Sequence, residues 1–187
     1  IAAIVNNNHN KYTNAKDGFF GFFDTINDTE TAHLLINTAI EWLNAKGLQT
    51  IIGPVNFSTN ETCGLLVEGF EYAPMAMMPY NASYYLPLIE SAGFSKKTDL
   101  LAYRFFINDY NDAHLKRLSG ALQERLKKRN ILIRSINVKN FKEEVNKIRE
   151  IYNAAWNKNL GFVPMTEDEF NYLAKDLKLI LDKDFCI

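Results

Sequence analysis

Gly18-Phe19-Phe20-Gly21-Phe22-Phe23-Asp24-Thr25-Ile26-Asn27-Asp28-Thr29-Glu30 is the stretch on which the fold turns, because it runs a strand signal straight into a helix start. Four aromatics within residues 18–23 put large side chains on both faces of an extended segment, the pattern of a central strand covered on both sides. Asn27 is placed to cap the helix that follows, and Glu30, three residues later, to complete a capping box. Ala32, Leu35, Ile36, Ala39, Ile40 and Leu43 then mark one apolar stripe, and Gly47 is placed to end the helix in a left-handed cap. Thr50-Ile51-Ile52 resumes as a strand, stopped by Gly53-Pro54. Alternation of strand and helix signals predicts an α/β fold.

On the N-terminal side, Ile1-Ala2-Ala3-Ile4-Val5 reads as the middle of a strand, too short and without the basic flank of a signal peptide. On the other side, a long irregular loop runs from Asn56 through Cys63 and Gly64 to Met75-Ala76-Met77-Met78-Pro79-Tyr80. Loops of such length are functional or disordered, and the Phe, Leu, Met and Tyr content of this one argues against disorder. A short helix perturbed by Pro87 leads to Gly93-Phe94, and residues 100–107 read as a strand. Leu115, Leu118, Leu122 and Leu126 then recur at helical spacing, Ile131-Leu132-Ile133 opens another strand, and Asn140 with Glu143 has capping-box form. Val145, Ile148, Tyr152 and Ala155 mark a helix face, and Thr166 with Glu169 repeats the box before Phe170, Leu173, Ala174 and Leu177. Apolar residues at both ends, and no initiating Met, lead to the expectation of a piece cut from a longer chain.

With 47% hydrophobic, 13% aromatic and 23% charged residues, the 187-residue chain is excluded from the disordered and collagen classes. Its net charge of −1 hides a partition: residues 1–112 carry −6, residues 113–149 carry +8 and residues 150–187 carry −3. Between 114 and 134 stand Lys116, Arg117, Arg125, Lys127, Lys128, Arg129 and Arg134 against the single acid Glu124. The plainest reading is a solvated linker helix; an anionic membrane surface, nucleic acid and an acidic carrier protein are the other partners such a face suits. Without interleaved aromatics, nucleic acid is not expected. Every apolar run is interrupted well short of the roughly 20 residues of a membrane span, so a cytoplasmic protein is expected. Cys63 and Cys186 form no Cys-x-x-Cys pair and read as two reduced thiols, while His9, His33 and His114 form no ligand pair, so no metal is expected.

The strand at 18–23, the helix at 28–46, the strand at 50–55, the helix ending Leu86-Pro87-Leu88-Ile89-Glu90-Ser91-Ala92-Gly93-Phe94 and the strand at 100–107 together resemble the second half of a GNAT acyltransferase domain. Leu-Ile-Glu-Ser-Ala-Gly-Phe is similar to that family's Leu-Tyr-Glu-Lys-x-Gly-Phe, and residues 131–187 resemble the first half of another such domain. Gly53-Pro54-Val55-Asn56-x-Ser58, Glu61-x-x-Gly64-Leu65-Leu66 and Met77-Met78-Pro79-Tyr80-Asn81 resemble a bacterial branch of tandem GNAT-like proteins. The resemblance implies a mixed central sheet flanked by helices. It divides the chain into a C-terminal half-domain at 1–112, a basic linker helix at 113–130 and an N-terminal half-domain at 131–187. The two halves then either complement one another as a permuted domain or exchange between copies in a homodimer.

The same resemblance implies transfer of an acyl group from a thioester, acyl-CoA or acyl carrier protein, to an amine. Long-chain amino lipids, as in bacterial ceramide synthesis, are among the implied acceptors. Two positions depart from the family. Its Arg/Gln-x-x-Gly-x-Gly/Ala loop, which cradles the donor's diphosphate on backbone N–H groups, reads here Asp24-Thr25-Ile26-Asn27-Asp28-Thr29-Glu30, without glycine or arginine and with three carboxylates. Its tyrosine that protonates the departing thiolate falls at Ile89, with Tyr84 and Tyr85 a turn or more earlier. Phe22, Phe23, Thr25 and Asn56 are the candidate donor-binding residues, and Glu61 and Tyr80 the candidate catalytic ones. Glu61 is the carboxylate that burial beside Phe57, Leu65 and Leu66 would tune as a base; its other reading is a loop acid that satisfies local backbone. A non-catalytic GNAT-like module that binds a ligand or holds a larger assembly is the competing class.

Overall fold

The structure is a computed structural model that describes residues 1–75, 78–106 and 112–186. It divides into two units, the first made of Ile1–Leu100 with Trp156–Pro164 and the second of Leu101–Ala155 with Met165–Ile187. The fold is α/β.

In the first unit, β1 (Ala2–Ile4), β2 (Asp17–Gly21) and β3 (Thr50–Ile52) form a mixed sheet in the order β1-β2-β3. β1 runs antiparallel to β2 with Ala3 opposite Phe20, and β3 runs parallel to β2 with Gly18 opposite Ile51. The aromatic strand is therefore central, and Phe19 and Phe20, on opposite faces, are both buried. The connection from β2 to β3 is α2 (Thr29–Ala45), which buries Ala32, Ile36, Ala39 and Leu43. Leu35 and Ile40 flank that stripe and are only partly buried against the core. Gly47 ends the helix at φ 77°, as its position predicts.

The expected cap moves by one residue. Asp28, not Asn27, has the extended backbone of a cap, and its carboxylate accepts the Thr31 amide at 2.8 Å. Counting from Asp28, Glu30 falls at the second helical position, one short of the place that closes a capping box, and it faces the helix dipole instead. β2 also stops earlier than expected, at Gly21 rather than residue 23. A Cβ at Gly21 would run into the Val55 carbonyl, and Phe22 turns the chain away at φ 47°.

Two further helices belong to this unit. The polar stretch after β1 forms α1 (Asn7–Thr13), capped by Asn6, whose side chain accepts the His9 amide at 2.9 Å. α3 (Tyr85–Ser91) packs Tyr85, Leu88 and Ile89 against Phe20, Phe23, Ala32 and Ile36 to form the core, with the Phe94 ring 5.1 Å from Phe20.

The second unit contains α4 (Asp112–Lys127), a short 3-10 turn (Val138–Asn140), α5 (Phe141–Trp156) and α6 (Glu167–Leu177). α6 opens with the expected capping box between Thr166 and Glu169. Ahead of α5, Asn140 instead donates its side-chain amide to Glu143, and Asn137 caps the preceding turn. Ile136, Val145 and Phe170 are buried, and the Lys178 ammonium lies 4.8 Å from the centre of the Phe141 ring. Glu144, 6% exposed, takes both arms of the Arg134 guanidinium at 2.6 and 2.8 Å. That fork holds its carboxyl down at about 2 against the opposing effect of desolvation.

Two expected strands do not form among the described residues. Residues 100–106 are unassigned to any strand, with Leu100, Leu101 and Tyr103 largely exposed; Ile107 lies outside the described residues. Ile131-Leu132-Ile133 likewise forms no strand, and Ile131 donates instead to the Leu126 carbonyl at 3.0 Å. β-propensity requires a neighbouring edge to become a ladder, and neither segment finds one here. At the end of the chain, no strand is assigned among the described residues 184–186, and Ile136 donates to the Cys186 carbonyl at 2.9 Å.

Candidate functional site

Side chains converge where the parallel pair β2 and β3 ends, at the carboxyl ends that commonly carry ligands in α/β sheets. β2 turns at Phe22, while β3 runs through the cis Gly53-Pro54 peptide into Val55 and Asn56. Val55 still donates to the Phe20 carbonyl at 2.8 Å, and beyond it Asn56 Oδ1 accepts the Phe22 amide at 2.7 Å. A side chain thus replaces the next rung of the ladder, leaving the Phe22 ring half-exposed and edge-on to Phe57 at 5.2 Å. Asn6 Nδ2 donates to the Phe57 carbonyl at 3.0 Å, which ties α1 to the same loop.

The next turn is clasped by α3. Tyr85 donates its hydroxyl to the Asp24 carboxylate and accepts the Thr25 amide at 3.3 Å, while Tyr84 donates to the Thr25 carbonyl at 3.0 Å. Burial pushes the Tyr85 hydroxyl above the ordinary tyrosine range, and the bond to Asp24 adds to the effect. Thr25 Oγ1 is buried and makes no hydrogen bond. Both tyrosines therefore fix the 24–25 turn, and the Tyr85 ring also belongs to the core.

Of the residues expected from the sequence, Asn56 and Phe22 are bonded directly, and Thr25 is fixed through Tyr84 and Tyr85. Phe23 is buried, edge-on to Phe20 at 6.2 Å and to Tyr85 at 5.5 Å. Glu61 stands exposed in the long loop, its amide donating to the Ser58 carbonyl at 3.2 Å, without the burial that would tune it as a base. The half-exposed Tyr80 donates its hydroxyl to the Phe70 carbonyl at 3.0 Å. Of the motif around Tyr80, Met77 lies outside the described residues.

The geometry at the start of α2 does not suit a diphosphate. Hydrogen bonds from Thr31 hold the Asp28 carboxyl below its ordinary range, so a carboxylate already takes the Thr31 amide at the helix start and sets negative charge where the anion would sit. Asp24 and Glu30 add like charge beside it.

Sequence reasoning missed a partly buried pair. His9, 8% exposed, places Nε2 3.0 Å from Asp17 Oδ2 and sets its ring edge-on to Phe19 at 4.9 Å. Asn10 brackets Asp17 by bonding its main-chain amide and carbonyl at 2.8 and 2.9 Å. No periodic pattern links positions 9 and 17, because the pair joins a helix to the start of a strand. Among the described residues, no group of three or more His, Cys, Asp and Glu could hold a metal ion, and no helix is long and apolar enough to cross a membrane.

Two curated proteins resemble the chain. It is 36% identical over 185 residues to Protein YghO of Escherichia coli (strain K12), a match covering 98% of this chain and 46% of that protein. It is 35% identical over 168 residues to Bacterial ceramide synthase of Caulobacter vibrioides (strain NA1000 / CB15N), covering 89% of this chain and 42% of that protein. The chain thus spans about half the length of these relatives. No family model and no solved structure matches it.

Proposed function

We propose that this chain is part of an N-acyltransferase that moves an acyl group from a thioester to the amine of a lipid. The observation that carries this reading is the 35% identity with Bacterial ceramide synthase over 89% of the chain. In the reaction, the amine nitrogen attacks the thioester carbonyl, the C–N bond forms and the C–S bond breaks. A base takes the proton from nitrogen and the thiolate leaves. Glu61 is the candidate base, to be buried by the arriving lipid rather than by the chain's own fold, and Tyr80 the candidate hydroxyl on the same loop. Phe22, Phe23, Thr25 and Asn56 are the candidate donor-side residues around the end of β2. No step is routed through a diphosphate at the N-terminus of α2, where the Asp28 carboxylate already takes the Thr31 amide. Exchange of half-domains between two copies is part of the proposal, since it would cover the edges of β1 and β3 that are unpaired among the described residues; a monomer by light scattering removes it.

The test incubates the whole protein of which this chain is part with a long-chain amine and either a long-chain acyl-CoA or an acylated carrier protein, and reads the amide by mass spectrometry. Amide from one donor, lost in Glu61→Gln with the fold retained, supports the reading. A folded protein that yields no amide from either donor overturns it. That outcome favours a non-catalytic GNAT-like binding or assembly module, the reading that the acidic start of α2 and the apolar Ile89 support.

A further inference from the structure

The surface of α4 has no part in the acyl-transfer reading. Leu118, Leu122 and Leu126 recur every four residues along one side, and Leu118 and Leu122 are 52% and 53% exposed. At the end of the helix, the bond from Ile131 to the Leu126 carbonyl brings residues 131–133 beside the last turn. There they line a shallow depression with Gln123 and Lys127, and Leu132 is 74% exposed. By helical position Arg125 borders the leucine stripe and Lys127 lines the 131–133 depression, while Arg129 follows in the turn after α4 and Arg117 and Lys128 lie on the remaining face, all exposed. Glu124, the sole acid from 113 to 134, is tied to Lys127 at 3.0 Å.

We propose that α4 and the 131–133 turn form a peripheral docking surface for an anionic phospholipid bilayer. Charge complementarity selects the occupant. Leu118, Leu122 and Leu132 are apolar groups that the headgroup boundary can take up, while the long stems of the arginines and lysines carry their charges back to the lipid phosphates. An acidic protein would need a surface matched in shape to this stripe, whereas a bilayer deforms around any amphipathic helix of this polarity.

The test floats the full chain with vesicles of phosphatidylglycerol mixed with phosphatidylcholine, and with phosphatidylcholine alone. Flotation is expected with the anionic vesicles and is expected to weaken at high salt. Arg125→Gln with Arg129→Gln should lower partitioning roughly thirtyfold, taking each basic side chain near such a surface at about fivefold. Leu118→Ser with Leu122→Ser should also release the protein, and both positions are exposed enough to leave the fold intact, as far-ultraviolet circular dichroism would check. Absence of flotation, equal flotation on neutral vesicles, or capture by an acidic carrier protein instead of vesicles would overturn the proposal. The readout needs no turnover, so it stands or fails separately from the acyltransferase reading.

Discussion

Removing one oxygen atom tests whether α3 holds the 24–25 turn as described. Tyr85→Phe keeps the buried ring against Phe23 at 5.5 Å and opens no cavity. It deletes a hydroxyl that donates to the Asp24 carboxylate and accepts the Thr25 amide at 3.3 Å. A hydrogen bond to a charged group contributes about 1.5–3 kcal/mol and a neutral one about 0.5–1.5. Asp24 is exposed and regains water, which discounts the first, so the expected loss is about 1.5–3 kcal/mol in all. Tyr84→Phe gives up one neutral bond to the Thr25 carbonyl and should cost about 1 kcal/mol. Urea unfolding followed by the fluorescence of Trp42, on α2 of the same unit, measures both, with the slope required to stay constant. A double-mutant cycle with Asp24→Asn should show coupling of about 1 kcal/mol or more. The sign of the pH effect follows from the raised hydroxyl. Its stabilisation is complete below the unfolded tyrosine pKa near 10 and is lost as pH rises through the higher folded value. The reasoning fails if Tyr85→Phe unfolds within about 0.5 kcal/mol of the parent, or if Tyr84→Phe costs more.

In the second unit, the Glu144 carboxyl sits at about 2 against an ordinary 4.5, so its stabilisation is present above pH 4.5 and lost as pH falls between those values. Acid titration by circular dichroism should show that loss, and Glu144→Gln should flatten it; an unchanged profile in the variant would refute the role given to the Arg134 fork. Ile36, at 0% exposure on the core face of α2, should cost about 2–5 kcal/mol as Ile36→Ala, whereas the partly buried Leu35 should cost less as Leu35→Ala. The order of their urea midpoints checks this, and the reverse order would mean that the buried face of α2 is assigned wrongly.

Single residues of the candidate site carried signals in the sequence, but their assembly did not. Asn56 falls within the Gly53-Pro54-Val55-Asn56-x-Ser58 motif, and Phe22 is part of an aromatic run. Their bond crosses 34 positions, however, and exists because the parallel pairing of β2 with β3 brings the two strand ends together. Tyr84 and Tyr85 stand out in the sequence only as lying a turn or more before Ile89, and nothing local announces their hydroxyl partners, which lie about 60 residues away. His9 carried no signal, since a seven-residue polar helix has no apolar stripe to announce it. Glu61 was singled out for its apolar sequence neighbours, yet neighbours in sequence do not confer burial, and the side chain is exposed.

The sequence by itself determined what depends on local periodicity and local chemistry. This includes the central aromatic strand, the apolar face of α2, the left-handed end at Gly47 and the capping box before α6, each decided by residues within a turn or two of one another. Tertiary structure decided whatever needed a distant partner. It moved the cap of α2 to Asp28 and ended β2 at Gly21 against the Val55 carbonyl. It also left residues 100–106 and 131–133 outside any sheet despite their β-branched and aromatic side chains. A helix satisfies its own backbone and can be read from its own residues, whereas a strand is completed only by a neighbour that the local sequence does not name.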